Sequence, residues 1–294
     1  MTHDHTPPAA PARRWRVRGE VLDLHHPRIM AICNVTPDSF SDGGEHHSVE
    51  LACAFAQAAL LEGATILDIG GESTRPGATP VPRATELARV LPVIEAVRRR
   101  TPTLLVTIDT VKADVARSAI EAGAHAVNDV SGGRLDPAMF GVVAELGAGL
   151  VLMHSRGGVA DMASLAGASY AGDVVSVVCG ELAVQATAAQ RAGIFHEALV
   201  LDPGIGFSKT SAQSLALLRA VPQLAALGYP VMVGASRKRV IGELTEVREP
   251  SRRVVGSAMA HAWAAAHGAR IIRTHDVAAT REALAVIMAL EGHA

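Results

Sequence analysis

Leu199-Val-Leu-Asp-Pro-Gly-Ile-Gly-Phe-Ser-Lys209 combines a short apolar run with a turn rich in glycine. The run ends at Asp202, and the turn leads to Phe207 and Lys209. Apolar residues on both faces of such a run are typical of a strand buried in a parallel sheet, and the glycines let the backbone pass close to a neighbouring group. The stretch therefore predicts a buried strand whose tip delivers a carboxylate to a loop.

This unit of an apolar run followed by a helical pattern recurs eight times after residue 28. The predicted strands are 29–35, 65–70, 104–109, 126–131, 150–154, 199–202, 231–236 and 270–274. The predicted helices are 48–62, 83–100, 112–122, 137–146, 173–192, 211–220, 251–267 and 278–290. Eight strand and helix alternations predict a single α/β domain, a closed (β/α)₈ TIM barrel with parallel strands. An open doubly wound sheet is the alternative, which the lack of a Gly-x-Gly-x-x-Gly after the first strand disfavours.

The composition is that of a chain with a large apolar core and no strong charge. Of the 294 residues 49% are hydrophobic, the formal net charge is −2, and no apolar stretch approaches the ~20 residues of a membrane span. We expect no nucleic-acid or membrane partner. The three cysteines lack metal-ligand spacing and do not form an even set for disulfides, which favours a reducing compartment, the cytoplasm.

The first residues differ from the remainder of the chain. They are rich in proline, alanine and histidine and lack the apolar centre of a signal peptide. We predict a disordered tail over residues 1–15 and one folded domain over residues 16–294. The arginines at positions 13, 14, 16 and 18 are interpreted as a solvated segment.

Polar residues stand at the end of every predicted strand. In a TIM barrel all these ends lie on the face that carries the active site. Any one of them could instead cap the following helix, and capping is an adequate explanation for Asp68 and Asp129. Eight occurrences in eight strands favour a ring-shaped polar site. Its members in chain order are Asn34, Asp68, Glu72, Asp109, Asn128, Asp129, His154, Asp202, Ser236, Arg237, Lys238, Arg273, His275 and Asp276.

The kinds of side chain in this ring indicate what it binds. Asp109, Asn128 and Asp202 offer short acceptors that suit a flat ligand presenting several N–H donors, such as an amino-substituted heterocycle. Phe40 and Phe207 follow strands one and six, where they can stack on a flat ring, although a core role for either is open.

The last two strands carry donors and positive charge. Ser236 to Lys238, with Arg273 and His275, indicate a phosphate-like anion, because TIM barrels bind phosphate in this quarter of the rim. A salt-bridge set with Asp276 or Glu243 is the alternative. In the first loop, Asn34 with Asp38 and Asp42 offers hard oxygen ligands for a Mg²⁺ ion shared with that anion.

Seven segments carry a resemblance to the dihydropteroate synthase family, in order from about residue 28 to the end. They include Asn34-Val-Thr-Pro-Asp-Ser-Phe40, Gly70-Gly-Glu-Ser-Thr-Arg-Pro-Gly77 and Gly234-Ala-Ser-Arg-Lys238, with the remainder at 107–110, 127–132, 201–207 and 273–277. The resemblance implies a cytoplasmic homodimer of the folate pathway. Such an enzyme condenses (7,8-dihydropterin-6-yl)methyl diphosphate with 4-aminobenzoate, giving 7,8-dihydropteroate and diphosphate, and is the usual target of sulfonamides.

The resemblance also implies a role for each matching residue. Asp109, Asn128, Asp202 and Lys238 would hold the pterin, with Met153, Phe207 and Gly234 lining its slot. The diphosphate would bind Arg273 and His275, and Mg²⁺ would bind Asn34. Thr74 and Arg75 would close the site from the second loop, while Phe40, Pro76, Ser236 and Arg237 would shape the 4-aminobenzoate pocket. The implied catalytic residues are Asp109, Asp202, Lys238, Arg273 and His275.

Two departures from the family pattern and two rival functions need mention. Ser208 stands where many relatives have glycine, and Arg239 stands where some have serine. A pterin-dependent corrinoid methyltransferase would share the barrel and the pterin carboxylates but would need no diphosphate site. A catalytically silent pterin-binding paralogue would lack the first two loops. The segments at 34–44 and 234–238 disfavour the first alternative, and the presence of both loops disfavours the second.

Overall fold

Eight parallel strands close into a barrel in the computed structural model, which describes residues 12–36, 44–73 and 79–292. Consecutive strands are hydrogen-bonded neighbours throughout the barrel, and its last strand pairs with its first. The predicted (β/α)₈ barrel is confirmed. The strands are β3 (Arg28–Asn34), β4 (Ile66–Gly70), β5 (Leu105–Asp109), β6 (Ala126–Asp129), β7 (Gly149–Met153), β8 (Leu199–Asp202), β9 (Val231–Val233) and β10 (Ala269–Thr274).

The helices lie outside the strands and agree with most of the predicted segments. Two further short helices were not predicted, at Val221–Ala225 and Arg239–Thr245, and a 3₁₀ turn at Pro250–Arg252 precedes the helix that begins at Val254. The helices are α1 (Gly44–Glu62), α2 (Arg83–Arg100), α3 (Ala113–Glu121), α4 (Met139–Leu146), α5 (Val174–Arg191), α6 (Ser211–Arg219), α7 (Val221–Ala225), α8 (Arg239–Thr245), α9 (Val254–Ala266) and α10 (Val277–Leu290). Among the described residues no helix is both long and apolar enough to cross a membrane.

An N-terminal hairpin closes the amino end of the barrel. It pairs β1 (Arg14–Val17) with β2 (Glu20–Asp23), and the fully buried Trp15 donates its indole N–H to the Ala198 carbonyl at 2.9 Å. This corrects the tail boundary predicted at residue 15, because Arg14 and Trp15 belong to the folded domain. Residues 1–11 lie outside the described part of the chain.

The barrel interior is apolar toward the amino ends of the strands and polar toward their carboxyl ends. One buried side chain from each of the eight strands forms an apolar floor with Trp15 and Val17: Met30, Ile66, Leu105, Ala126, Val151, Val200, Met232 and Ile271. A packed floor of this kind makes the barrel a core without a pore. The polar strand ends at the opposite, carboxyl face are therefore the only part of the described barrel interior open to a ligand.

Candidate active site

Arg273 lies at the centre of the carboxyl face and joins two carboxylates. Its Nε donates to Asp68 Oδ2 at 2.7 Å, and its Nη2 donates to Asp109 Oδ2 at 2.8 Å. Burial alone would lower the pKa of Arg273, but the charges of Asp68 and Asp109 raise it above its ordinary value. The guanidinium therefore stays charged.

Asn128 is oriented by the same carboxylate. Its Nδ2 donates to Asp68 Oδ2 at 2.9 Å, and Thr107 Oγ1 donates to Asp68 Oδ1 at 2.5 Å. The buried Asn128 Oδ1 has no hydrogen-bond partner among the described residues. A buried acceptor left unpaired is costly, so this oxygen is a good receptor for an N–H group of a ligand.

Asp109 and Asp202 are the other two predicted acceptors of the site. Burial raises the pKa of Asp109 to about 7, against the opposing charge of Arg273. Burial also raises the pKa of Asp202, while the Gly204 N–H, 2.7 Å from Asp202 Oδ1, acts in the opposite direction together with the charge of Lys238. Both carboxyls are held at strand ends, where Asp109 lies in register with Gly70 and Asp202 lies in register with Met153.

An apolar wall with one cation stands beside Asp202. Phe207 is buried with Met153 in a small cluster that also contains Val111, Val130 and Met162. Lys238 Nζ lies 3.9 Å from the centroid of the Phe207 ring, a cation–π contact. Burial lowers the pKa of Lys238 to about 7, although Asp202 favours its charged form.

The loop after β9 meets the end of β10 through Ser236. Its Oγ accepts from the His275 backbone N–H at 3.1 Å and lies 3.0 Å from His275 Nδ1. Burial, together with the positive charges of Arg273 and Arg237, lowers the pKa of His275 to about 3. His275 is therefore a neutral hydrogen-bonding group near pH 7.

Arg237 forms a salt bridge with Asp276, which is the alternative to an anion site that the sequence left open. Its Nε and Nη2 donate to Asp276 Oδ2 and Oδ1 at 3.0 and 2.6 Å. Its φ of 58° lies in the left-handed region, and its backbone N–H donates to Ser257 Oγ on α9. Arg273 also has carboxylate partners, so the positive charges of this quarter are compensated within the chain.

The remaining predicted residues lie at the edge of the site or outside the described residues. A Cβ built on Gly70 would lie 3.8 Å from Asn34 Oδ1 and 3.4 Å from Asp109 Cβ, so the Asn34 oxygen borders the carboxylate cluster. A Cβ built on Gly234 would lie 3.6 Å from Arg273 Cβ. The predicted residues outside the described part are Asp38, Phe40, Asp42, Thr74, Arg75 and Pro76.

Asp68 is the functional residue that the sequence analysis undervalued. It was treated as a helix cap, whereas its carboxylate accepts from Thr107, Asn128 and Arg273 in the barrel interior. Its position two residues before the strand end gave the signal, because alternate residues of a strand share a face. Asp129 does serve its own loop, where it accepts from the Ser131 and Gly133 N–H groups.

Comparison with known proteins agrees with this geometry. The family described as "Pterin binding enzyme" matches residues 30–275. The dihydropteroate synthase of Mycobacterium leprae is 45% identical over 271 residues, covering 90% of this chain and 94% of that protein. A Xanthomonas albilineans dihydropteroate synthase solved with 4-aminobenzoic acid is 48% identical, has a TM-score of 0.88, and is matched over 95% of this chain and 98% of its own.

A second structure from Xanthomonas albilineans, in complex with 7,8-dihydropteroate, has 45% identity and a TM-score of 0.84, with coverage of 95% of this chain and 98% of that one. The similarity therefore extends over nearly the whole barrel, including the ends of all eight strands that form the polar ring. The chain belongs to the pterin-binding enzyme family, and within it to the dihydropteroate synthases.

Proposed function

We propose that the carboxyl face of this barrel condenses (7,8-dihydropterin-6-yl)methyl diphosphate with 4-aminobenzoate, giving 7,8-dihydropteroate and diphosphate. As a dihydropteroate synthase, the chain is a transferase of folate biosynthesis with small-molecule substrates. The observation that carries the residue assignment is the group of buried acceptors beside Arg273. Asn128 Oδ1 lacks a partner there among the described residues, and Asp109 and Asp202 are held at the ends of β5 and β8 on the same rim.

The pterin half of the site follows from these acceptors. Asp109, Asn128 Oδ1 and Asp202 would receive the N–H groups along one edge of the flat heterocycle. Lys238 would donate to a ring acceptor beside Asp202. Phe207, Met153 and Gly234 would line the faces of the pterin ring. Phe207 is buried beside Met153, and the Lys238 ammonium lies over the Phe207 ring. These three acceptors and the one donor match the hydrogen-bonding edge of a pterin, which presents both N–H donors and ring acceptors.

The diphosphate half lies toward Arg273 and His275. Arg273 supplies a guanidinium that can exchange a carboxylate partner for phosphate oxygens, and His275 supplies a neutral ring with one N–H donor. The Asn34 oxygen at the edge of the carboxylate cluster fits Mg²⁺, which takes one or two protein oxygens and fills its remaining positions with phosphate and water. When bound, Mg²⁺ would neutralise negative charge on the departing diphosphate.

The reaction breaks the bond between the pterin methylene and diphosphate oxygen, and its electron pair leaves with the diphosphate. Arg273 stabilises that growing negative charge, and the carboxylates of Asp109 and Asp202 stabilise positive charge on the pterin. The lone pair of the 4-aminobenzoate nitrogen then forms the new C–N bond, and the nitrogen loses a proton. This amine is already neutral near pH 7, so Ser236 and Arg237 would serve to orient it.

Homodimerisation and a cytoplasmic location complete the proposal. Helix α9 exposes Val255, Met259 and Trp263 at a spacing of four residues, which supports a second copy as the partner of this face. Cys33, Cys53 and Cys179 are free thiols, as expected in a reducing compartment. Burial raises the pKa of the Cys33 thiol to about 12, so it is inert.

The direct test measures pyrophosphate release by the pure protein with Mg²⁺, the pterin diphosphate and 4-aminobenzoate. We expect release with the complete mixture and little or none when any one component is omitted. Release that did not require 4-aminobenzoate, or full activity in excess chelator, would contradict the proposed reaction or the metal respectively.

A binding test addresses the pterin acceptors. Asp202→Ala should lose about 1.5–3 kcal/mol of pterin affinity by calorimetry, as expected for a charged hydrogen bond. Asp173→Ala, which removes an exposed carboxylate at the N-terminus of α5, is the control and should bind the pterin normally. Unchanged pterin affinity in Asp202→Ala would remove this residue from the site.

A further inference from the structure

A buried lysine stands behind the pterin side of the site. Lys209 is fully buried, and its ammonium has three acceptors: His154 Nδ1 at 3.0 Å, the His154 carbonyl at 3.2 Å and the Phe207 carbonyl at 2.9 Å. None of these acceptors is a carboxylate. A buried ammonium with three neutral acceptors is fully hydrogen-bonded but still lacks a charge partner in direct contact.

The three hydrogen bonds join the end of β7 to the turn that follows Asp202. A Cβ built on Gly204 would lie 2.0 Å from the His154 carbonyl oxygen and 3.3 Å from Lys209 Nζ, and Gly204 has a φ of 68°. The turn is thus pressed against the ammonium. Gly204 also donates its N–H to Asp202 Oδ1, and its carbonyl accepts from the Phe207 N–H at 3.0 Å.

The acceptor ring of His154 is itself held from the outside. His154 Nε2 lies 2.8 Å from Glu181 Oε2, and Arg156 pairs with the other oxygen of Glu181 at 2.5 Å. Burial, and next the charge of Lys209, lowers the pKa of His154 to about 4. A neutral His154 that donates from Nε2 to Glu181 presents an unprotonated Nδ1 to Lys209, which is the tautomer that this network requires.

The charge of Lys209 acts on Asp202. Burial lowers the pKa of Lys209 to about 7, and Asp202 is the strongest of the charges that favour its ammonium form. In return, the positive charges of Lys238 at the N-cap of α8, Arg273 on β10 and Lys209 all lower the pKa of Asp202 against the effect of burial. Lys238 and Arg273 belong to the proposed ligand site, whereas Lys209 is fully buried and bonded to His154 and Phe207.

We propose that Lys209 is a positioning residue for the pterin half of the site, which holds the turn from Gly204 to Phe207 on β7 and keeps Asp202 in its carboxylate form. This role rests on the proposed function, because it concerns the residue assigned to the pterin N–H groups. Lys209 need not touch the substrate. It acts through the charge state of Asp202 and through the position of the Phe207 ring.

The test compares Lys209→Gln and Lys209→Met with the wild-type protein. In protein with ¹³C-labelled aspartate, the Asp202 carboxyl resonance is assigned with Asp202→Asn and titrated without any ligand. Both variants should raise the pKa of Asp202 by about one unit, because each removes a nearby opposite charge. Val178→Ala, which truncates a buried side chain of α5, is the control for general destabilisation and should leave this titration unchanged.

Binding supplies a second readout. At pH 6 both Lys209 variants should bind the pterin diphosphate more weakly than wild type, by at most about tenfold for a one-unit rise in the pKa of Asp202. The difference should shrink toward pH 8, where wild-type Lys209 is itself largely neutral. The KM for 4-aminobenzoate should change by less than about twofold. A purely structural role would weaken pterin binding equally at both pH values.

An unshifted Asp202 titration in both variants would overturn the proposal. If neither variant folds, the ¹³Cε resonance of Lys209 in the wild-type protein decides: an ammonium at pH 6 supports the proposal, and a neutral amine at pH 6 overturns it. These titrations need no turnover, so they are independent of the test for pyrophosphate release. A wild-type protein without that release would refute the proposed function but not the coupling of Lys209 to Asp202.

Discussion

Asp68 is one buried carboxylate that holds three other residues of the candidate site in place. It accepts from Thr107, Asn128 and Arg273, which come from three different strands. Because its two oxygens are occupied by these donors, Asn128 must turn its own oxygen away toward the pocket. The orientation of the Asn128 oxygen is therefore set by a residue two strands away.

Removing the charge of Asp68 should be costly for the fold. Asp68→Asn leaves Arg273 with Asp109 as its single carboxylate partner, and breaking a buried ion pair typically costs about 3 kcal/mol or more. We expect the free energy of unfolding to fall by about 3 kcal/mol in urea denaturation. Glu50→Gln, which breaks the exposed pair with Arg100, is the control and should leave the midpoint unchanged. A similarly small effect for both variants would contradict the role of Asp68.

The predictability of single residues depended on whether their role is fixed by strand register. Asp109 and Asn128 are direct register partners at strand ends, so the sequence could place them together. Arg237 could not be placed in the same way. Its pairing with Asp276 depends on a left-handed φ and on a backbone hydrogen bond to α9, neither of which has a local pattern. Asp68 was undervalued because a lone strand aspartate resembles a cap.

Among the elements, the N-terminal hairpin has a function that its length conceals. Its two strands have four residues each, yet Trp15 reaches the apolar floor of the barrel and hydrogen-bonds the segment before β8. Arg14-Trp-Arg-Val17 does alternate between exposed and buried residues, and Gly19 turns the hairpin with a φ of 74°. The arginines of this segment are exposed, as predicted, whereas the tail predicted up to residue 15 overlaps the first two residues of β1.

Trp15→Ala should therefore destabilise the whole barrel. Truncating a fully buried aromatic side chain costs about 3–5 kcal/mol, and the indole hydrogen bond to Ala198 is lost as well. Far-UV circular dichroism in urea measures the change without relying on tryptophan fluorescence. Val21→Ala, in the same hairpin but half-exposed, should have almost no effect. A barrel that kept its stability without the Trp15 side chain would show that the hairpin is a mere appendage.

Helices α9 and α10 enclose a neutral histidine. His261 is fully buried, and its Nδ1 lies 3.3 Å from Thr280 Oγ1. Burial lowers its pKa from 6.5 to about 4. The unfolded chain therefore takes up the proton first as the pH falls, so stability present above pH 6.5 is lost progressively between pH 6.5 and 4.

His261→Leu should remove this part of the acid sensitivity. Between pH 7.5 and 5 the wild-type protein should lose about 2 kcal/mol more than the variant in the free energy of unfolding, from 1.4 kcal/mol per pKa unit. Urea denaturation at several pH values measures the difference, in which the titration of all other groups cancels. Parallel pH profiles for the two proteins would mean that His261 retains its ordinary pKa in the native state.

At the scale of the whole molecule, closure of the sheet explains why the fold could be predicted. Few chain topologies accommodate eight alternations of strand and helix, and a closed barrel removes the exposed edges of the sheet. Closure also places every strand end on one rim, so counting polar strand ends was enough to locate the site. The sequence analysis missed the short helices α7 and α8, because five and seven residues carry little helical periodicity.

The exposed apolar face of α9 bears on how copies of the chain assemble. Val255, Met259 and Trp263 on α9 are 83%, 69% and 48% exposed and share one face of the helix. The opposite face of α9 holds Ser257, which accepts the Arg237 backbone N–H, so a partner on α9 would support the helix behind the diphosphate quarter. Burying such side chains is worth about 1.5–3 kcal/mol each.

Met259→Glu should consequently convert the proposed dimer into monomers in sedimentation velocity, because it puts a charge at the centre of that apolar face. Leu61→Glu is the matched control, since this leucine is 77% exposed on α1, on another side of the barrel, and its replacement should leave the dimer intact. A wild-type protein that sediments as a monomer, or a Met259→Glu variant that stays dimeric, would exclude α9 as the contact between copies. Turnover per chain in the monomeric variant then measures how far the assembly supports the site.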